Sequence, residues 1–185
     1  MLNVSGGAKG NGVLNISNTG TTESDLTGLG VGLGYTQTGG NINITSSYAI
    51  NEESRITSTG FYLMYGDALI TGGSLNITAG DSDHTSTRSL AMDVDNGSLT
   101  VGSSDSDEAP TIKAQSFDCV YDTTALYVKS TFTLYKGNIE VSAGSSTAND
   151  VRGISTERFV MYDGDIVASS GSAIADREDS YAIYI

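Results

Sequence analysis

The sequence contains few of the residues that staple or interrupt a fold. Among its 185 residues there are one Pro, one Cys, one His and no Trp. The single Cys119 excludes an intrachain disulfide and a Cys-rich zinc site, so the chain is not a small disulfide-stapled module. We expect Cys119 to be a buried, small apolar residue. The sequence also lacks a phosphate-binding Gly loop, a nucleophile elbow and a His-rich zinc pattern.

Basic residues are scarce as well. Nine Lys and Arg stand against 22 Asp and Glu, which gives a net charge of −13. Such a chain repels phosphate backbones and anionic lipid surfaces, so we expect no nucleic-acid partner. No apolar run approaches the roughly 18 residues of a membrane span, and the first residues lack the pattern of a signal peptide. We therefore expect no membrane insertion.

The residues that are abundant favour short strands. The chain has 23 Gly, is rich in Ser, Thr and Asn, and is 38% hydrophobic, which suffices for a core. We predict an all-β protein with one domain over residues 1–185.

A strand motif of the form Gly-x-apolar-x-apolar recurs along the chain. Its clearest copy is the stretch GGSLNITAG at 72–80, in which Leu75 and Ile77 would face the core and Asn76 would face solvent. Further copies lie at 12–17, 40–45, 97–102, 137–142 and 164–169, and residues 2–5 resemble a copy without its Gly.

Two more strand motifs follow each copy. The second has the form small-apolar-x-apolar and occurs at 28–31, 60–63, 89–92, 125–128, 153–156 and 182–185. The third contains the apolar pairs Ala68/Ile70, Phe132/Leu134 and Phe159/Met161. Three short strands per repeat cannot bury their apolar faces alone, whereas stacked coils can. We predict a three-faced parallel β-helix of about six to seven coils, with a β-sandwich as the alternative.

The repeat length varies in the polar segments between the first and second strands. The longest of these segments spans 102–124, and within it residues 111–114 and 116–119 echo the strand motifs. We therefore expect an extra coil there, with the insertions on one side of the stack.

These motifs resemble the right-handed, pectate-lyase-like β-helix repeats of bacterial cell-surface and carbohydrate-binding proteins. The resemblance implies an extracellular, adhesin-like module that binds polysaccharide or another surface protein. Both ends of the chain lie in strand motifs without a polar cap, which favours end-to-end self-association and a segment of a longer repeat protein.

Exposed tyrosines are the candidate binding residues. The outward position of the second strand is predicted to hold Gly30, Tyr62, Ala91, Tyr127, Ser155 and Tyr184, and Tyr135 and Tyr162 precede the next Gly. Tyrosines two coils, or about 10 Å, apart would form a flat surface for sugar rings or a protein partner. Alternatively, Tyr serves there only as a good outward strand former.

Acidic clusters are the candidate metal ligands. Calcium favours such clusters, since its ligands are carboxylate and carbonyl oxygens, and the alternative is that the charges only keep the surface soluble. The candidates are Asp81, Asp83, Asp105, Asp107 and Glu108. No organic cofactor is expected.

We assign no catalytic residue and expect a non-enzymatic protein. The alternative is a polysaccharide lyase or glycoside hydrolase of the pectate-lyase-like class, because enzymes with that fold use clustered carboxylates and basic residues. The groups to consider are Asp81, Asp83 and His84 with Arg88 nearby, and Asp176, Arg177, Glu178 and Asp179. Asn-x-Ser/Thr occurs at Asn3, Asn15, Asn43, Asn76 and Asn96. We interpret the first four as outward strand positions and Asn96 as a turn position, rather than as glycosylation sites.

Overall fold

The computed structural model describes residues 2–4, 12–19, 24–49, 56–80, 85–174 and 178–185, and over 2–4 it describes the backbone alone. These residues form parallel strands joined into one sheet. The strands are β1 (Leu2–Val4), β2 (Val13–Asn18), β3 (Leu26–Ser46), β4 (Thr57–Ala79), β5 (Arg88–Val94), β6 (Leu99–Val101), β7 (Thr111–Ser116), β8 (Thr123–Leu134), β9 (Asn138–Ser142), β10 (Val151–Met161), β11 (Asp165–Ser169) and β12 (Ser180–Tyr184).

The strand register sorts the described residues into three faces. The first face stacks residues 13–18, 41–46, 74–79, 111–116, 138–142 and 165–169. The second face stacks 26–31, 57–63, 88–94, 123–128, 151–156 and 180–184. The third face stacks 2–4, 35–37, 68–70, 99–101, 132–134 and 159–161.

The fold is therefore a parallel β-solenoid of about five turns, which confirms the predicted architecture and corrects the predicted six to seven coils. Six described strands stack on each face, and six stacked strands correspond to about five turns. Two predicted first-strand copies lie elsewhere. Residues 99–101 pair with 68–70 and 132–134, and residues 2–4 pair with 35–37, so both lie on the third face. In the coil that contains residues 99–101, the first-face strand is β7. The sequence had suggested an extra coil at this segment.

Glycines shape the corner between the third and first faces. Gly40, Gly73, Gly137 and Gly164 all have a positive φ, between 76° and 135°. A Cβ at Gly73 would lie 2.1 Å from the carbonyl oxygen of Gly40, so the stacked corners also leave no room for a side chain. These two constraints explain why Gly precedes the first strand. Pro110 takes this place before β7, where its carbonyl oxygen accepts a hydrogen bond from the backbone N–H of Asn138 at 3.0 Å.

The core is a column of apolar side chains along the solenoid axis. The predicted inward residues Ile42, Leu75 and Ile77 are buried, as are Phe61 and Phe132 from the other two faces. Cys119 is also buried, as predicted, and burial raises the pKa of its thiol to about 12. The column spans all three faces, so each turn is stabilised mainly by the turns above and below it.

Polar ladders cover the outside of the first face. The amide of Asn43 donates to Asn15 Oδ1 at 2.7 Å, and the amide of Asn76 donates to Asn43 Oδ1 at 2.9 Å. The same row continues with Lys113 and Glu140, whose side chains form an ion pair at 2.6 Å. The repeated Asn residues of this face thus form a ladder of hydrogen bonds between neighbouring turns.

Candidate functional site

The outward row of the second face contains a carboxylate between two tyrosines. The register places Tyr62 beside Asp93, and Asp93 beside Tyr127. Gly30 and Ser155 continue the row at its two sides, and Tyr184 follows Ser155. Tyr62 and Tyr127 are therefore two strands, or about 10 Å, apart, as the sequence predicted.

The predicted place of Ala91 in this row is wrong. Ala91 is 0% exposed and faces the core, and Asp93 holds the outward position. The reason is that the sequence placed the motif at 89–92, whereas the register aligns Met92, Asp93 and Val94 with Leu126, Tyr127 and Val128. The motif was therefore placed two residues too early. The tetrad 91–94 also fits the small-apolar-x-apolar motif, and its Val94 is fully buried.

A cleft of about 530 Å³ opens over this row. Tyr62, Asp93 and Tyr127 line it together with Thr59 and Thr124. Four aspartates and two arginines supply its charges, and they are Asp25, Asp93, Asp95, Asp122, Arg88 and Arg152. Sequence reasoning missed Asp25, Asp93, Asp95 and Asp122 as members of one site, because the chain segments that carry them are far apart in sequence.

Asp93 is the most perturbed ionisable group of the cleft. Burial, followed by the negative charge of Asp95, raises its pKa to about 7, and Arg88 opposes this shift. Its Oδ1 atom is buried, and no donor among the described residues lies within hydrogen-bonding distance. Asp95 in turn accepts a hydrogen bond from the Tyr62 hydroxyl at 3.3 Å. Burial foremost raises the pKa of Tyr62, and the nearby aspartates add to the shift.

The two arginines are engaged with other aspartates. Arg88 Nε lies 3.2 Å from Asp122 Oδ2, and Arg152 forms an ion pair with Asp150. The Arg152 guanidinium also lies 5.1 Å from the ring centroid of Tyr184. Tyr184 thus contacts the Arg152 cation. It does not line the cleft.

Tyr135 and Tyr162 lie elsewhere, at the ends of third-face strands. Their rings stack on each other with centroids 4.8 Å apart and an interplanar angle of 4°. This arrangement fits the alternative interpretation of tyrosines that pair along the stack. These two residues do not line the cleft.

The acidic candidates that the structure describes are not grouped as a metal centre. Asp105, Asp107 and Glu108 lie in the exposed loop between β6 and β7, where the Ser104 hydroxyl donates to Asp105 Oδ1 at 3.0 Å. Asp81, Asp83 and His84 lie outside the described residues, as do Asp176 and Arg177. In the part of the chain that is described, no three His, Cys, Asp or Glu side chains are grouped so that they could hold a metal ion.

The remaining acidic candidates lie near Asp150. The backbone N–H of Asp179 donates to Asp150 Oδ1 at 3.1 Å, and this bond is the main reason that the pKa of Asp150 is lowered. The Tyr181 hydroxyl donates to Asp179 Oδ2 at 2.7 Å, and Asp150 itself pairs with Arg152. Asp179 is therefore held by bonds that support the last turn of the solenoid.

The described residues include no helix with the length and hydrophobicity that a membrane crossing requires.

Comparison of the chain with protein-family models, curated proteins and solved structures finds no match.

Proposed function

We propose that the chain is a non-enzymatic, extracellular β-solenoid module that binds a polysaccharide along the cleft of the second face. The observation that supports this proposal is the row Tyr62–Asp93–Tyr127 within a cleft of about 530 Å³. Tyrosine rings offer apolar contact with a polar edge, which suits the faces of sugar rings. The row follows the solenoid axis, so a chain of sugars lying along it would contact several turns at once.

The test is a binding titration of the 185-residue chain against neutral, acidic and amino polysaccharides, with and without calcium. Replacing both Tyr62 and Tyr127 by Ala is expected to weaken binding at least about tenfold, because both ring contacts are lost. The matched control is Tyr135→Ala with Tyr162→Ala, which removes two tyrosines outside the cleft. Equal affinities of the two double variants would contradict the proposal.

A second candidate is a glycoside hydrolase that uses Asp93 as its general acid. One observation favours it: the pKa of Asp93 is raised to about 7, within the range of general acids. Product analysis in the same titrations separates the two candidates. Released oligosaccharides that disappear with Asp93→Asn would replace the binding proposal by this one.

A further inference from the structure

The charges of the cleft point to the chemistry of its ligand. Its lining contains four aspartates and two arginines, and Arg152 is also paired with Asp150, which lies outside the lining. The ion-pair contact of Arg88 is with Asp122. Asp25, Asp93 and Asp95 therefore have no ion-pair contact to a described cation, in a chain whose net charge is −13. Asp93 and Asp95 are close enough for the charge of Asp95 to affect Asp93. An anionic ligand would be repelled here.

The surroundings of Asp93 match a cation that can donate hydrogen bonds. The Tyr62 and Tyr127 side chains lie on neighbouring strands on either side of Asp93, and all three line the same cleft. A cation is attracted to the face of a tyrosine ring, and a charge-assisted hydrogen bond to a carboxylate adds to this attraction. The Tyr62 hydroxyl also holds Asp95 beside the row.

We infer that the cleft recognises an amino glycan through a free ammonium group, which binds at the Asp93 carboxylate between Tyr62 and Tyr127. This inference rests on the proposed function, since it specifies the class of glycan. A neutral sugar would offer no charge to the Asp93 carboxylate, and a polyuronide would add negative charge to the cleft. Calcium is less suitable, because no group of three acidic ligands exists among the described residues.

The experiment compares two oligosaccharides with the same backbone: the hexamer of glucosamine and the hexamer of N-acetylglucosamine. At mildly acidic pH only the first carries ammonium groups. We expect it to bind at least about tenfold more tightly to the wild-type chain. Asp93→Asn is expected to reduce this preference to about twofold or less. Asp105→Asn, which removes the same charge from an exposed loop, is the matched control and should keep the preference.

Proton release provides a second readout. Asp93 shares the cleft with Asp25, Asp95, Asp122, Arg88, Arg152, Tyr62 and Tyr127, and its pKa is raised to about 7. A bound ammonium group favours the ionised carboxylate, so calorimetry in buffers of different ionisation enthalpy should detect a proton released on binding. The release should be lost with Asp93→Asn.

Several outcomes would overturn the inference. One is equal affinity for the two hexamers; if that binding still requires Tyr62 and Tyr127, the proposed polysaccharide function stands. Others are a preference that survives Asp93→Asn, and no binding of either hexamer. Hexalysine that binds as tightly as the glucosamine hexamer, with no loss in the Tyr62→Ala and Tyr127→Ala double variant, would show charge attraction alone and would overturn it too.

Discussion

Replacing Phe132 by Ala is expected to lower the free energy of unfolding by about 3–5 kcal/mol, the cost of a large cavity in a packed core. Phe132 is 0% exposed and lies on the third face in register with Leu99 and Phe159. Its ring packs against that of Phe159, with centroids 5.2 Å apart. The truncation therefore weakens contacts with the turns on both sides as well as those within its own turn.

Urea unfolding followed by circular dichroism measures this loss. The matched control is Tyr162→Ala, because Tyr162 is also an aromatic residue next to a third-face strand but is 67% exposed. We expect that substitution to cost no more than about 1 kcal/mol, the contribution of one exposed ring pair. Similar losses for the two variants would show that Phe132 is not in the core.

Replacing Asp93 by Asn is expected to stabilise the fold by about 1–3 kcal/mol above pH 7 and to have little effect near pH 4. The folded state holds the Asp93 proton with a pKa of about 7, compared with an ordinary value of 3.8. Between these two values the unfolded chain releases the proton while the folded chain keeps it. The wild-type chain therefore loses stability as pH rises through this window, and the Asn variant does not.

The measurement is the difference in unfolding free energy between Asp93→Asn and the wild type at several pH values. Other carboxylates titrate over the same range, so the difference isolates the contribution of this position. Asp105→Asn, which removes the same charge from the exposed loop between β6 and β7, is the matched control. A difference for Asp93→Asn that is flat or falls with rising pH would contradict the assigned burial of Asp93.

Alternation of apolar and polar residues was enough to predict most of the architecture. Leu75 and Ile77 are buried as the period of two predicts, and the Gly before the strand stands at a corner where positive φ is required. The outward position of Asn76 also followed from the pattern. These features are local, because one strand and its corner determine them.

The errors arose where a motif was assigned to the wrong residues or where the corner residue changes. The second-strand motif of β5 begins at Ala91 and not at Ser89, so Asp93, rather than Ala91, lies in the tyrosine row. At β7 the corner residue is Pro110, so this strand lacked its Gly signal and β6 was taken for it. The cleft could not be predicted from local patterns, because its charged residues come from several turns and meet only when the turns are in register.

The most direct test of the account is disulfide formation between neighbouring turns, in a chain that carries Cys119→Ser. In register, Asp93 and Tyr127 lie on adjacent strands and point to the same side, within the Cα separation of about 4.4–6.8 Å that a disulfide requires. We predict that Asp93→Cys with Tyr127→Cys cross-links under mild oxidation. Ala91→Cys with Tyr127→Cys should not, because Ala91 faces the core. A cross-link in the second pair and none in the first would contradict the account.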